Sequence, residues 1–217
     1  MQNSQAYDIP READADLIAL CDESMRQTLS APGIYLLSSV IVLATELASV
    51  REQMAGLRMR GQRKKLHWRD ESAERRSLVA RGLAGLHTDI VIATQCGMDR
   101  SKQERARRMA LQTLLMDLAG RAVRQAVFES RGPARDRADV AALAGLRSSG
   151  VLPPTLRVSH TPGDEDYALW SADIAAGAYS AALGGTPGPW ATLLTGCKVT
   201  VLACGACGTP HAPEAYG

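Results

Sequence analysis

The sequence predicts an α/β fold, a mixed β-sheet flanked by helices, from three observations. Two apolar runs, Leu17-Ile18-Ala19-Leu20 and Gly33 through Leu43, stand either side of a turn at Ala31-Pro32-Gly33, the pattern of an antiparallel pair. Beyond them, short β-branched runs alternate with stretches of helical spacing, which builds a sheet with helices on its faces. Acids punctuate the apolar stretches: Asp22 follows the first run, Glu129 ends Ala126-Val127-Phe128, and Asp173 sits in the Ala-rich Trp170-Ser171-Ala172-Asp173-Ile174-Ala175-Ala176. With 217 residues the chain suffices for one sizeable domain, or one domain with a small appendage.

Residues 1–15 are polar and read as a flexible N-terminal segment. Residues 16–22 and 33–43 read as the opening strands. The second is almost wholly apolar, as a central strand covered on both faces would be. Spacing through Leu47, Val50, Met54 and Leu57 predicts a helix over 44–58. The basic segment Arg58-Met59-Arg60-Gly61-Gln62-Arg63-Lys64-Lys65 follows, then Leu66-His67-Trp68. A helix over about 70–86 opens with Asp70, Glu71 and Glu74, where the helix dipole favours acids. Residues 89–94 form a β-branched strand. A long helix over 101–121 turns Met109, Leu111, Leu114, Leu115 and Leu118 to the core, with Arg100, Lys102, Arg105, Arg107 and Arg108 at its first half.

Further on, 122–128 read as a strand, 136–146 as a helix, 156–158 as a short strand and 166–183 as a helix, closing a domain over 16–183. The Gly/Pro-rich stretch from Gly184 changes the character of the chain. Residues 184–217 therefore read as an extension that packs on the core or mediates self-association. A doubly wound nucleotide-binding fold would need a phosphate loop, and neither a G-x-x-x-x-G-K-[ST] motif nor a G-x-G-x-x-G after the first strand occurs.

Composition is that of an ordinary globule, 46% hydrophobic and 22% charged, with a net charge of +2. The distribution of charge says more than its sum. Residues 51–82 hold ten Arg or Lys against four acids, whereas residues 1–24 hold six acids and one Arg. An acidic pocket beside a basic surface suits a metal site that handles phosphate; a solvated Arg-rich face is the plain alternative. Five cysteines lack the spacing of a disulfide framework. The N-terminal residues carry no signal-peptide pattern and no window is apolar enough to span a bilayer, so a cytoplasmic, non-membrane protein is expected. Oligomeric state is not legible.

A carboxylate at the mouth of a buried strand is costly unless something satisfies it, and a divalent cation does so well. Asp22 is the leading candidate ligand, against a turn or capping role. Glu23 faces the opposite side if the strand continues, toward solvent or an Arg. Glu129 could be a second ligand, or pair with Arg131 or Arg135. Asp173 lies on an apolar helix face, where a metal or a buried arginine would satisfy it. Asp166, seven residues earlier, could project from the same face as a fourth ligand or serve as an N-terminal dipole acid.

Together, Asp22-Glu23-Ser24 after an apolar strand, the apolar second strand, Lys65-Leu66-His67-Trp68, the strand ending in Glu129 and Ala168-Leu169-Trp170-Ser171-Ala172-Asp173 resemble the domain of unknown function 3800 family, which is RNase H-like. The resemblance covers residues 16–183. It departs at Met25, where the family usually has Gly, and at Trp170 or Ser171, where it usually has Gln. What it implies is an RNase H-like mixed sheet flanked by helices and a metal-dependent nuclease acting on DNA or RNA. Asp22, Glu129 and Asp173 would hold two Mg²⁺ or Mn²⁺ ions, with Asp166 as a further ligand and Asp22 bridging. Arg58, Arg60, Arg63, Lys64 and Lys65 would meet backbone phosphates without reading bases. The competing class is a non-catalytic RNase H-like binding or scaffold module whose acids make ordinary ion pairs.

Other motifs are weaker. His67 and His160 follow short apolar stretches, and a lone His there is more often structural than functional. Cys204-Gly205-Ala206-Cys207 with His211 and Cys197 falls short of a clear zinc pattern. Ser24 and Ser130 lack the G-x-S-x-G elbow of a serine hydrolase.

Overall fold

The structure, a computed structural model, describes residues 16–26, 33–59, 65–98 and 100–204. Its chain order is β1 (Leu17–Arg26), β2 (Gly33–Leu43), α1 (Leu47–Gly56), α2 (Ala73–Ala84), β3 (Asp89–Met98), α3 (Gln103–Gly120), β4 (Gln125–Glu129), α4 (Pro133–Ser148), β5 (Arg157–Thr161), α5 (Trp170–Leu183), α6 (Gly188–Gly196) and β6 (Lys198–Ala203). The strands form one sheet in the order β5-β4-β1-β2-β3-β6. The pairs β1/β2 and β2/β3 are antiparallel, and β1/β4, β4/β5 and β3/β6 parallel. This is the mixed α/β sheet flanked by helices expected from the sequence.

Alternation along each strand divides the core in two. Leu20, Leu36, Val40, Ile90, Ile92 and Val127 face α1, α2, α5 and α6. Ala19, Cys21, Leu37, Val91, Ala93, Ala126 and Phe128 face α3 and α4. The two-sided apolar character of β2 is thus the mark of a central strand, as predicted.

Several boundaries move. β1 runs on to Arg26, so Asp22 lies within it and not at its end. The helix expected over 166–183 is broken: a 3₁₀ turn, Tyr167–Leu169, precedes α5. Within the described residues, the chain after Gly184 packs on the core. Trp190 and Leu193 of α6 are buried, and β6 extends the sheet along β3. Residues 1–15, Arg60, Arg63, Lys64, Cys207 and His211 lie outside the described residues. Among the described residues no helix is long and apolar enough to cross a membrane.

Candidate active site

Register brings the first two acids together. Cys21 of β1 pairs with Phe128 of β4 in a parallel ladder, and both side chains enter the α3 face. One residue on, Asp22 and Glu129 therefore both turn to the α5 face. Asp173 arrives there on the first turn of α5. Ser38 on β2 ties that turn down, its hydroxyl donating to the Ala172 carbonyl at 2.8 Å and lying 3.3 Å from the Asp22 carbonyl. The three acids line one cleft of about 270 Å³ with Lys65, His67, Arg69 and Arg131. A larger cavity of about 480 Å³ lies at the opposite end of the strands, where Asp89 is already paired with Arg121 at 3.3 Å. The chemistry converges in the smaller one.

The segment after the basic stretch supplies the cleft's other wall. Lys65 Nζ donates to both carboxylate oxygens of Glu129. Asp173 Oδ2 accepts from the Trp68 amide at 2.7 Å and lies 3.2 Å from His67 Nδ1. Two glycines admit these contacts. A Cβ on Gly177, one turn after Asp173, would collide with the Trp68 ring, so only Gly lets that segment lie against α5. A Cβ on Gly163, in the turn after β5, would stand 2.7 Å from the Glu129 carboxylate.

The electrostatics follow from this crowding. Burial raises the Asp22 carboxyl well above the ordinary carboxylate range, and the charges of Asp173 and Glu129 push it the same way against Lys65. Burial opposes the charge on Lys65, but Asp22, Glu129 and Asp173 outweigh it and raise its pKa. The bond to Asp173 raises His67 above its ordinary value. The donor set, carboxylate oxygens carrying surplus negative charge, fits a hard divalent cation. Lys65 supplies part of that compensation itself. As the side chains stand, among the described residues no three His, Cys, Asp or Glu are gathered closely enough to hold an ion.

Asp166 does not join the cleft. Arg51 grips it through two bonds of 2.9 and 2.7 Å, and it caps the 3₁₀ turn by accepting from the Ala168 amide at 3.0 Å. The turn breaks the helical phase that would have placed it over Asp173. Arg58, expected at phosphates, lies 4.9 Å over the Tyr167 ring and 5.9 Å from that of Trp170, away from the cleft. Of the described basic residues in its segment, only Lys65 reaches the acids. Glu129 pairs with Lys65 and not with Arg131 or Arg135. His67 reaches the site; His160 instead lies 3.2 Å from Asp139 on the other face of the sheet.

Sequence reasoning missed Arg69, Gly163 and Gly177, and named Arg131 only as a partner for Glu129. It named Arg107 only among the basic residues in the first half of the long helix, although its side chain is 1% exposed. The signal was present: Arg107, Leu111, Leu114 and Leu118 share one helical stripe, as do Asp139, Leu143 and Leu146.

No family model matches the chain. No curated protein matches it either. Among solved structures, the chain is similar to a crystal structure of a single-substitution mutant of Bst-RNase HIII, with a TM-score of 0.43 and 12% identity over 82% of this chain. The match spans 57% of that protein's chain.

Proposed function

We propose that the protein is a metal-dependent nuclease that hydrolyses phosphodiester bonds of DNA or RNA, an RNase H-like enzyme akin to the domain of unknown function 3800 family and acting in the cytoplasm. The observation that carries this reading is the placement of Asp22, Glu129 and Asp173 on one face of the sheet, with Asp22 buried among like charges. Mg²⁺ or Mn²⁺, bound as a pair, would supply an activated water and stabilise the leaving oxygen. Asp22, Glu129 and Asp173 would hold the ions, with Asp22 shared between them. His67 and the Trp68 amide orient Asp173. Lys65, released from Glu129, faces the substrate phosphate, and Arg69 stands on the cleft wall. Arg60, Arg63 and Lys64 would meet the substrate's backbone phosphates, giving affinity without base readout.

The test is nicking of plasmid DNA and of labelled RNA by wild type and Asp22→Asn, with and without Mn²⁺, beside a Mn²⁺ thermal-shift titration. Mn²⁺-dependent cleavage and stabilisation, both lost in Asp22→Asn, support the reading. Equal cleavage by both proteins overturns it.

A second reading has its own support. The Lys65–Glu129 and His67–Asp173 pairs satisfy two of the three acids without a metal. A non-catalytic binding module would keep those pairs and show no Mn²⁺ stabilisation.

A further inference from the structure

On the opposite face of the sheet, directly behind the acid cleft, lies a buried network of charges. Glu23, the residue after Asp22, turns to the α3 side, where its carboxylate accepts from the Tyr35 hydroxyl and from Arg107 Nη1. Arg107 also forks onto Asp139, with Nε 2.9 Å from Oδ1 and Nη2 bonded to Oδ2. Asp139 in turn lies 3.2 Å from His160 Nε2 on β5 and 3.4 Å from Arg131 Nη2. Arg131 Nε has no hydrogen bond but stands 3.5 Å from Glu23 Oε2, closing the ring. Arg131 Nη1 reaches outward to Glu104 at 3.0 Å.

The cost of this arrangement argues for a role. Side-chain exposure is 1% at Arg107, 5% at Asp139 and 6% at Arg131. Desolvating such charges consumes most of what their attraction returns, and an apolar core of the same shape is often as stable. What the network does that an apolar core cannot is join specific backbone positions with directional bonds. Those positions flank the candidate ligands: Glu23 adjoins Asp22, Arg131 is two residues past Glu129, and His160 is three residues before Gly163, whose backbone abuts the Glu129 carboxylate.

We propose that the Glu23–Arg107–Asp139–Arg131 network is the positioning element of the active site, holding β1, the exit of β4 and the exit of β5 so that Asp22 and Glu129 project side by side. The inference rests on the metal-site reading above and adds the residues that set its geometry. These are positioning residues: Glu23 and Arg131 also line the cleft, while Arg107 lies behind it and acts only through Glu23 and Asp139. Its guanidinium fork is what matters. A lysine carries the charge but cannot bond Glu23 and Asp139 together in the same plane.

The experiment measures Mn²⁺ affinity by calorimetry and by the electron paramagnetic resonance signal of bound Mn²⁺, at a temperature where each protein is folded. Wild type, Arg107→Lys and Glu23→Gln are compared with Leu193→Ala, a core truncation on α6 far from the network. Arg107→Lys and Glu23→Gln should each bind Mn²⁺ about 10–100-fold more weakly, the range for groups that orient metal ligands. Where cleavage is measured, kcat should fall with KM for nucleic acid unchanged. Leu193→Ala should lose thermal stability but keep its Mn²⁺ affinity. If Arg107→Lys does not fold, Glu23→Gln, which keeps the Tyr35 bond, carries the comparison. Wild-type affinity in the folded network variants, or an equal loss in Leu193→Ala, overturns the positioning role and leaves the metal site standing. Absence of Mn²⁺ binding in wild type overturns both.

Discussion

Lys65 and Glu129 form an ion pair across the cleft, the ammonium donating to both carboxylate oxygens. The pair is half-shielded, with side-chain exposures of 20% and 19%, so it is neither a freely solvated contact nor a fully desolvated one. Its ammonium stands where a metal's charge would be used, and metal and lysine therefore compete for Glu129. Lys65→Met should raise Mn²⁺ affinity by about tenfold, equivalent to about 1.4 kcal/mol. Calorimetric titration checks this, and unchanged or weaker binding would show that Lys65 does not oppose the ion.

Asp22→Asn should cut cleavage by more than about 100-fold, since even residues that merely orient ligands cost up to that much. Its effect on the fold has the opposite sign. The folded pKa of Asp22 is raised above its ordinary 3.8, so the stability of the protonated form is present below that value and is lost as pH rises through the folded pKa. In metal-free buffer at pH 8 the variant, which carries no ionisable group there, should melt no lower than wild type. A lower Tm would mean that ionised Asp22 is a net stabilising partner of Lys65.

The two glycines separate site geometry from stability. Gly163→Ala places a methyl 2.7 Å from the Glu129 carboxylate and should weaken Mn²⁺ binding about 10–100-fold with little change in unfolding free energy. Gly177→Ala drives a methyl into the Trp68 ring and should cost about 1–3 kcal/mol by urea unfolding. Equal, small effects in both assays would show that the Leu66-His67-Trp68 segment and the Gly163 turn relax freely.

Asp139 predicts an acid limb. Burial alone would raise its pKa, but the bonds from Arg107 and His160 and the charges of Arg107 and Arg131 hold it well below its ordinary 3.8. A depressed carboxylate stabilises the fold above its unfolded pKa, and that contribution is lost as pH falls through the folded one. Between about pH 4 and pH 2, wild-type stability should decline more steeply than that of Asp139→Asn. Denaturant midpoints at a series of pH values measure the two slopes, and parallel slopes would remove Asp139 from the acid transition.

The order of strands and helices through α5, the central place of β2 and the opposite orientations of Asp22 and Glu23 were legible in the sequence, because alternation and helical spacing are local properties that burial imprints on neighbouring residues. The acids at Asp22, Glu129 and Asp173 were legible for a related reason: a carboxylate inside an apolar run is costly enough to stand out. Their partners were not. Whether Glu129 meets Lys65 or Arg131 depends on how residues 65–68 settle against α5, which Gly177 permits and no local pattern announces. The 3₁₀ turn at Tyr167–Leu169 gave Asp166 to Arg51, since a break of a few residues resets the helical phase. Likewise β6 became part of the sheet because the edge of β3 was open to it, a fact about distant chain segments. The sequence by itself determined β1 to β5 and α1 to α5 and marked Asp22, Glu129 and Asp173 as acids set against apolar runs. The tertiary structure decided the parallel register that sets Asp22 beside Glu129 and the network behind them, because register and charge pairing are settled by contacts between residues far apart in the chain.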